Sequence, residues 1–113
     1  MKKKIWLSVL AAAVVIAGGI SWWASRYYVV PIIMYHHVAR LDSPQPDTVS
    51  PERFEWHMAY LKKHHFTVLP LTALVEALQS GIPVPRKSVV ITFDDGYEDN
   101  YTRAFPILKE YKF

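Results

Sequence analysis

The chain has 113 residues, which suggests at most one domain, and it contains no cysteine, which excludes disulfides and thiolate metal sites. The formal net charge is +3, and Lys2, Lys3 and Lys4 supply all of this excess. The rest of the chain is therefore close to neutral, and we expect no nucleic-acid partner.

The first predicted element is a membrane-spanning helix. Residues 5–24 carry no charged side chain, and about 20 such residues can cross the core of a bilayer. The preceding lysines favour a cytoplasmic N-terminus, and the aromatic residues Trp22, Trp23, Tyr27 and Tyr28 suit the far interface. We expect a cytoplasmic tip and signal-anchor helix over 1–28, with 29–113 outside the cytoplasm.

A cleaved signal peptide is the alternative for this segment. Cleavage sites need small residues, and Trp22-Trp23-Ala24 places bulky ones there, while Ala17-Gly18-Gly19 is only a weak alternative cleavage site. We favour the uncleaved anchor, which keeps the chain on the membrane. Cleavage would instead make residues 29–113 a secreted domain.

The next segments alternate between strand and helix patterns. Val29–Val38 predicts a buried strand that ends in His36-His37, and 39–49 predicts a loop. Ser50-Pro51-Glu52 is a helix start, after which Phe54, Met58 and Leu61 recur at helical spacing. A short strand follows at Phe66–Leu69.

The second half repeats this alternation. Thr72 is a candidate cap for a helix that Gly81 ends, and Val89–Phe93 predicts a third strand. The last helix is expected over Asp99–Tyr111, with a late start or a kink caused by Pro106. The order predicts an α/β fold with parallel strands, whose carboxyl ends carry the active site. His36-His37 and Asp94-Asp95 both fall at such ends.

Asp94-Asp95-Gly96 is the strongest chemical signal in the chain. Adjacent carboxylates at a strand end point in different directions, so one can bind a divalent metal while the other acts as a general base. Gly96 permits the tight turn that presents both side chains. The alternative is a helix N-cap with a solvated neighbour.

The longer string Thr92-Phe93-Asp94-Asp95-Gly96-Tyr97 resembles the first motif of the polysaccharide deacetylases, the NodB-homology group of carbohydrate esterases. Three flanking segments are similar to the same family: Pro31–Val38, Ser50–Phe54 and Asn100–Leu108. The resemblance covers the chain from about Val30 to Phe113.

This resemblance implies an α/β fold that is the N-terminal portion of a distorted (β/α) barrel of NodB type, formed by residues 29–113. It implies metal-dependent hydrolysis of N-acetyl groups on an aminosugar polymer such as poly-N-acetylglucosamine, peptidoglycan or a chitin-like glycan. Asp94 would be the general base, and Asp95 would bind a divalent metal, for which zinc is expected. His36 would lie on the substrate side of the site or just behind the residues that contact substrate; the alternative is a histidine whose hydrogen bonds are purely structural.

The family's later motifs are missing from these 113 residues: two histidine ligands, an arginine that orients the base, and a histidine that acts as general acid. One carboxylate does not hold zinc usefully, so we expect this chain by itself to be inactive. The alternative function is a non-catalytic membrane-anchored fragment, or a module that binds a glycan or a partner.

The remaining polar and aromatic candidates have simpler interpretations. His57, His64 and His65 belong to a helix and its end, where polar side chains satisfy carbonyl groups. Trp56 is expected to pack, or to lie on partly exposed surface, rather than to stack on a sugar. Glu98 and Asp99 are expected to be charges in the first turn of the last helix.

Overall fold

A computed structural model describes residues 2–24, 29–43 and 45–113. The elements, in chain order, are α1 (Lys2–Ala24), β1 (Ile32–Tyr35), β2 (His37–Val38), β3 (Thr48–Val49), α2 (Pro51–Lys63), β4 (Thr67–Leu69), α3 (Leu71–Ser80), β5 (Ser88–Phe93), a π-helical segment (Asn100–Ala104) and α4 (Phe105–Tyr111). The predicted interfacial residues Tyr27 and Tyr28 lie outside the described residues.

Helix α1 is long and apolar enough to cross a membrane over Ile5–Ala24, by length and composition. A signal sequence near an N-terminus meets the same criteria, so the two interpretations of this segment both remain. The described side chains of this helix are exposed, and the rest of the protein does not cover the segment. In a membrane-spanning helix, lipid would surround these side chains.

Three parallel strands form the main sheet in the order β1-β5-β4. Ile32 pairs with Val90 and Thr67 pairs with Ser88, so the three strands begin near one edge and end near the other. We call these the amino edge and the carboxyl edge. This sheet confirms the predicted mixed α/β class with parallel strands.

The single strand predicted over Val29–Val38 is wrong in its length. The chain bends at His36, and β2 leaves the main sheet to pair in parallel with β3. Backbone bonds from His37 N to Asp47 O, at 3.1 Å, and from Ala39 N to Val49 O, at 3.0 Å, hold this pair. The expected loop over 39–49 therefore ends in a short strand.

One hydrophobic core lies between the sheet and the helices. The predicted stripe of α2 is confirmed, because Phe54 and Met58 are fully buried and Leu61 is nearly so. They pack in one cluster with Tyr35, Val38, Val89 and Ala104. The rings of Tyr35 and Phe54 meet edge to face at 4.9 Å. This core fixes the ends of β1 and β5 side by side.

Helix boundaries follow local chemistry with one exception. Ser50 caps α2 by accepting a hydrogen bond from Arg53 N, and Gly81 ends α3 in the left-handed conformation, both as predicted. The predicted Thr72 cap is wrong, since α3 begins at Leu71 after Pro70 and without a side-chain cap. The first backbone bond of α3 runs from Leu74 N to Pro70 O at 3.2 Å, so Pro70 occupies the capping position predicted for Thr72.

Candidate functional site

Strand β5 carries Asp94 and Asp95 beyond the carboxyl edge of the sheet. Asp94 N donates to Tyr35 O at 2.9 Å, which extends the pairing of β1 with β5 to the first carboxylate. Both aspartates are exposed. Strand β5 thus holds the backbone of Asp94 in place, and the two carboxylates extend from its end into solvent, as the sequence predicts.

The turn after these carboxylates has two consecutive residues in the left-handed region. Asp95 has a φ of 65° and Gly96 a φ of 64°. A Cβ added at Gly96 would meet no atom within 4 Å, so glycine is needed there for its backbone conformation rather than for space. Asp95 adopts a conformation that aspartate tolerates better than most residues, at some cost in strain.

Asp99 connects the chain beyond this turn to the segment that follows β1. Its Oδ2 lies 2.7 Å from His37 Nδ1, and its Oδ1 accepts a 3.2 Å hydrogen bond from Val38 N. The sequence indicated only a first-turn charge here, and no capping hydrogen bond is formed by this side chain. Its carboxylate instead joins two segments that are about sixty residues apart.

Tyr97 makes a further contact between the turn and His37. Its ring stacks on the imidazole of His37 with centroids 3.5 Å apart and planes inclined by 27°. The carboxylate of Asp95 raises the pKa of the Tyr97 hydroxyl, with smaller contributions from burial and from Asp47 and Asp99. Asp95, Tyr97, His37 and Asp99 therefore form one continuous group of side chains at the carboxyl edge.

An open cavity of about 440 Å³ lies beside this group. It is lined by His37, Tyr97, Glu98, Asp99, Thr102 and Arg103. Carboxylate, hydroxyl and guanidinium groups face one space, so the cavity suits a polar, hydrogen-bonding ligand better than an apolar one.

The two adjacent histidines have different surroundings. His37 joins the group around Asp99, whereas His36 lies at the bend between β1 and β2, beside a smaller cavity of about 130 Å³ that includes Asp47 and Thr48. The two rings thus line different cavities, one on each side of the bend. The sequence singled out His36 and missed His37, because the contact with Asp99 has no signal in local sequence.

The described residues do not complete a metal site. Among them, no three histidine or carboxylate side chains converge on one point where a metal ion could bind. Asp94 and Asp95 supply carboxylate oxygens of the kind that divalent ions prefer, but a zinc site needs at least three protein ligands. A bound metal would therefore take only part of its ligands from this region.

The histidines of α2 serve the helix and the core. His57 Nδ1 lies 2.9 Å from the Tyr35 hydroxyl, and His64 follows the last turn of α2, with its N–H bonded to Tyr60 O. His64 also lies against the ring of Tyr60 at 4.2 Å. The His57 ring therefore contacts the core and not a carbonyl group at the helix end, and the carbonyl of Tyr60 is bonded by the backbone N–H of His64 rather than by its side chain.

Comparisons with known proteins agree with the motif. The profile of the polysaccharide deacetylase family matches residues 81–113. The polysaccharide deacetylase homologue YxkH of Bacillus subtilis is 41% identical over 83 residues, which are 73% of this chain and 28% of that protein. The poly-β-1,6-N-acetyl-D-glucosamine N-deacetylase of Escherichia coli K12 is 41% identical over 61 residues, which are 54% of this chain and 8% of that protein.

Solved structures extend the agreement to the fold. The deacetylase PplD of Streptococcus pyogenes, solved with acetate, superposes with a TM-score of 0.65 at 32% identity, over 73% of this chain and 38% of that one. The chain thus spans between 8% and 38% of the length of these relatives. Sequence and fold together confirm the resemblance to polysaccharide deacetylases.

Proposed function

We propose that this chain, a relative of the polysaccharide deacetylases, forms part of a metal-dependent enzyme that hydrolyses N-acetyl groups on an aminosugar polymer. The observation that carries the proposal is the position of Asp94 and Asp95, at the end of a buried strand and on a turn that Tyr97, His37 and Asp99 hold. The family of the matched relatives supports the same reaction class.

The two carboxylates take separate roles in this proposal. Asp95 binds a divalent metal, for which zinc is our choice, and the remaining ligands lie outside the described residues. A bound metal would lower the pKa of a coordinated water and polarise the amide carbonyl. Asp94 accepts the proton of the attacking water as general base, and His36 contacts the substrate near the bend after β1.

The substrate and location are part of the same proposal. The E. coli relative is named for poly-β-1,6-N-acetyl-D-glucosamine, which makes that polymer our first choice ahead of peptidoglycan and chitin-like glycans. Residues 29–113 form the N-terminal part of a distorted (β/α) barrel. Residues 1–28 anchor it, with the helix Ile5–Ala24 crossing the membrane and the catalytic part outside the cytoplasm.

A second candidate function is a non-catalytic anchored module that binds a glycan or a partner. The absence of a three-ligand cluster among the described residues favours it for this chain in isolation. Stoichiometric zinc in the purified chain would contradict it, whereas metal-free protein that still binds glycan oligomers would favour it over the enzyme.

The enzyme proposal is tested by substitutions at Asp94 and Asp95 in the protein purified from its native source. We measure bound metal and the acetate released from poly-β-1,6-N-acetylglucosamine oligomers. Asp94→Asn should abolish acetate release with metal retained, because it removes the base and leaves the ligand, whereas Asp95→Asn should lose the metal. Glu76→Gln, which changes an exposed carboxylate of α3, is the control and should keep both. Loss of metal from Asp94→Asn would contradict the assigned roles.

A further inference from the structure

Basic residues are concentrated at the amino edge of the sheet. The segments that precede β4 and β5 and the end of α4, residues 61–66, 80–88 and 108–113, contain six basic residues and one acidic residue, Glu110. The basic residues are Lys62, Lys63, Arg86, Lys87, Lys109 and Lys112, and all of them are exposed. The chain beyond α1 is close to neutral in total, so its net charge gives no sign of this concentration of basic residues.

Direct contacts hold the three segments together at this edge. Lys87 Nζ donates to His64 O at 3.1 Å, and Thr67 N donates to Lys87 O at 2.9 Å, which joins the starts of β4 and β5. Lys62 Nζ donates to Tyr111 O at 3.1 Å and lies 5.5 Å from the centre of the Phe113 ring, which adds the end of α4. The basic surface is thus formed by segments that are fixed relative to one another.

The carboxyl edge has the opposite charge. Residues 94–103 carry four carboxylates and one arginine, and residues 39–53 carry three carboxylates and two arginines. The domain is therefore polarised along its strands, with a basic edge where they begin and an acidic edge where they end. Such a charge distribution orients a protein beside a charged surface.

The chain enters the domain at the basic edge. Helix α1 ends at Ala24 and β1 begins at Ile32, so seven residues, 25–31, join them. Seven residues span at most about 25 Å when fully extended. A membrane around Ile5–Ala24 would therefore lie close to the amino edge, while the parallel strands lead the chain away toward Asp94 and Asp95.

We infer that the amino edge is a docking surface for the anionic phospholipid headgroups of the membrane that α1 crosses. Clustered lysines and arginines are attracted to such headgroups when they lie within about one Debye length, roughly 10 Å, of the surface. The inference rests on the membrane span of the proposed function. It places the acidic carboxyl edge, with its candidate site, on the side of the domain that faces away from the bilayer.

The experiment uses the full chain in nanodiscs. Because the chain has no cysteine, single cysteines carry a fluorine label at Ser80 near the amino edge, at Ser43 near the carboxyl edge and at Ala13 within α1. Lipids with a gadolinium headgroup broaden labels near the membrane surface, and water-soluble gadolinium reports whether the Ala13 label is shielded. We expect broadening at Ser80 several-fold greater than at Ser43 in nanodiscs containing phosphatidylglycerol.

Two comparisons test whether charge holds the domain against the membrane: one changes the charge of the lipid, and the other changes the charge of the protein. Broadening at Ser80 should fall in nanodiscs of phosphatidylcholine alone, and also in the variant Lys63→Gln, Lys109→Gln, Lys112→Gln. The matched control, Arg40→Gln, Arg53→Gln, Arg103→Gln, removes the same charge from the region of the carboxyl edge and should leave the broadening unchanged.

Three outcomes would overturn the inference. Equal broadening at Ser80 and Ser43 would show that the domain has no fixed orientation, and broadening independent of lipid charge would show that the short connection alone sets its position. An Ala13 label open to water-soluble gadolinium would show that the span itself is absent. That last result leaves the enzyme proposal intact, because metal binding and acetate release do not depend on it.

Discussion

At the scale of single residues, Asp99 explains how a strained turn persists at the candidate site. Asp95 in the left-handed conformation costs free energy that neighbouring contacts must offset. Pairing with Tyr35 O holds the chain before the turn, and the bonds of Asp99 to His37 and Val38 hold it afterwards. The turn is therefore constrained on both sides, which keeps the two candidate carboxylates in a defined position.

Removing the Asp99 carboxylate should loosen this turn more than the core. Its side chain is 18% exposed and that of His37 28%, so we expect Asp99→Ala to cost about 1–2 kcal/mol locally, near the value of a partly shielded charge-assisted hydrogen bond. Amide hydrogen exchange of the full chain in micelles should then accelerate about tenfold at Asn100, whose N–H donates to Tyr97 O at 3.0 Å, with Val90 unchanged. Glu98→Ala is the control. Equal acceleration at Val90 would mean that Asp99 stabilises only the fold as a whole.

The Tyr35–His57 pair predicts how stability depends on pH. Burial, followed by the nearby charge of Arg53, lowers the pKa of His57 below 6.5, and burial raises the pKa of Tyr35 from 10.0 to about 12. A lowered histidine pKa gives stability that is present above pH 6.5 and lost as the pH falls through the folded value. A raised tyrosine pKa gives stability that is present below pH 10 and lost as the pH rises toward 12.

The unfolding midpoint of the full chain in micelles should therefore be flat between about pH 7 and 9 and fall on either side. His57→Gln should weaken the acid decline that begins below the ordinary histidine pKa of 6.5, and Tyr35→Phe should weaken the alkaline one. His64→Gln, at the exposed end of α2, should change neither. If the acid decline is as large in His57→Gln as in the unaltered chain, another titratable group causes it.

At the scale of elements, the sequence was informative wherever local chemistry decides the structure. The spacing of Phe54, Met58 and Leu61 predicted the buried face of α2, and the apolar run before Asp94 predicted β5. Capping by Ser50 and termination at Gly81 followed from conformational preferences of single residues. These features need no knowledge of distant parts of the chain.

Features that depend on distant partners could not be predicted in this way. The pairing of β2 with β3 and the bond of Asp99 to His37 each join segments whose proximity only the folded core creates. Pro106 indicated a disturbed last helix, but not that the disturbance would be a π-helical segment over Asn100–Ala104 with a bond from Phe105 N to Asn100 O. A proline restricts the helix before it without specifying how the backbone adapts.

At the scale of the whole molecule, the main sheet has two open edges. Strands β1 and β4 each pair only with β5 among the described residues, and Ile32 and Met34 of β1 are 52% and 55% exposed. An open strand edge beside exposed apolar side chains favours association with other chains. The matched relatives are longer, and the proposed barrel would continue the sheet along such an edge.

The exposed face of β1 should therefore bind an apolar dye and promote self-association. We expect Ile32→Lys combined with Met34→Lys to reduce anilinonaphthalene sulfonate fluorescence of the full chain in nanodiscs by half or more, after subtraction of empty nanodiscs, because charged side chains prevent apolar contact there. Gln45→Lys with Gln79→Lys adds the same charge at exposed polar positions and should leave the fluorescence unchanged. If the two double variants behave alike, the dye responds to charge or to the bilayer, and the open edge of β1 is not an association surface.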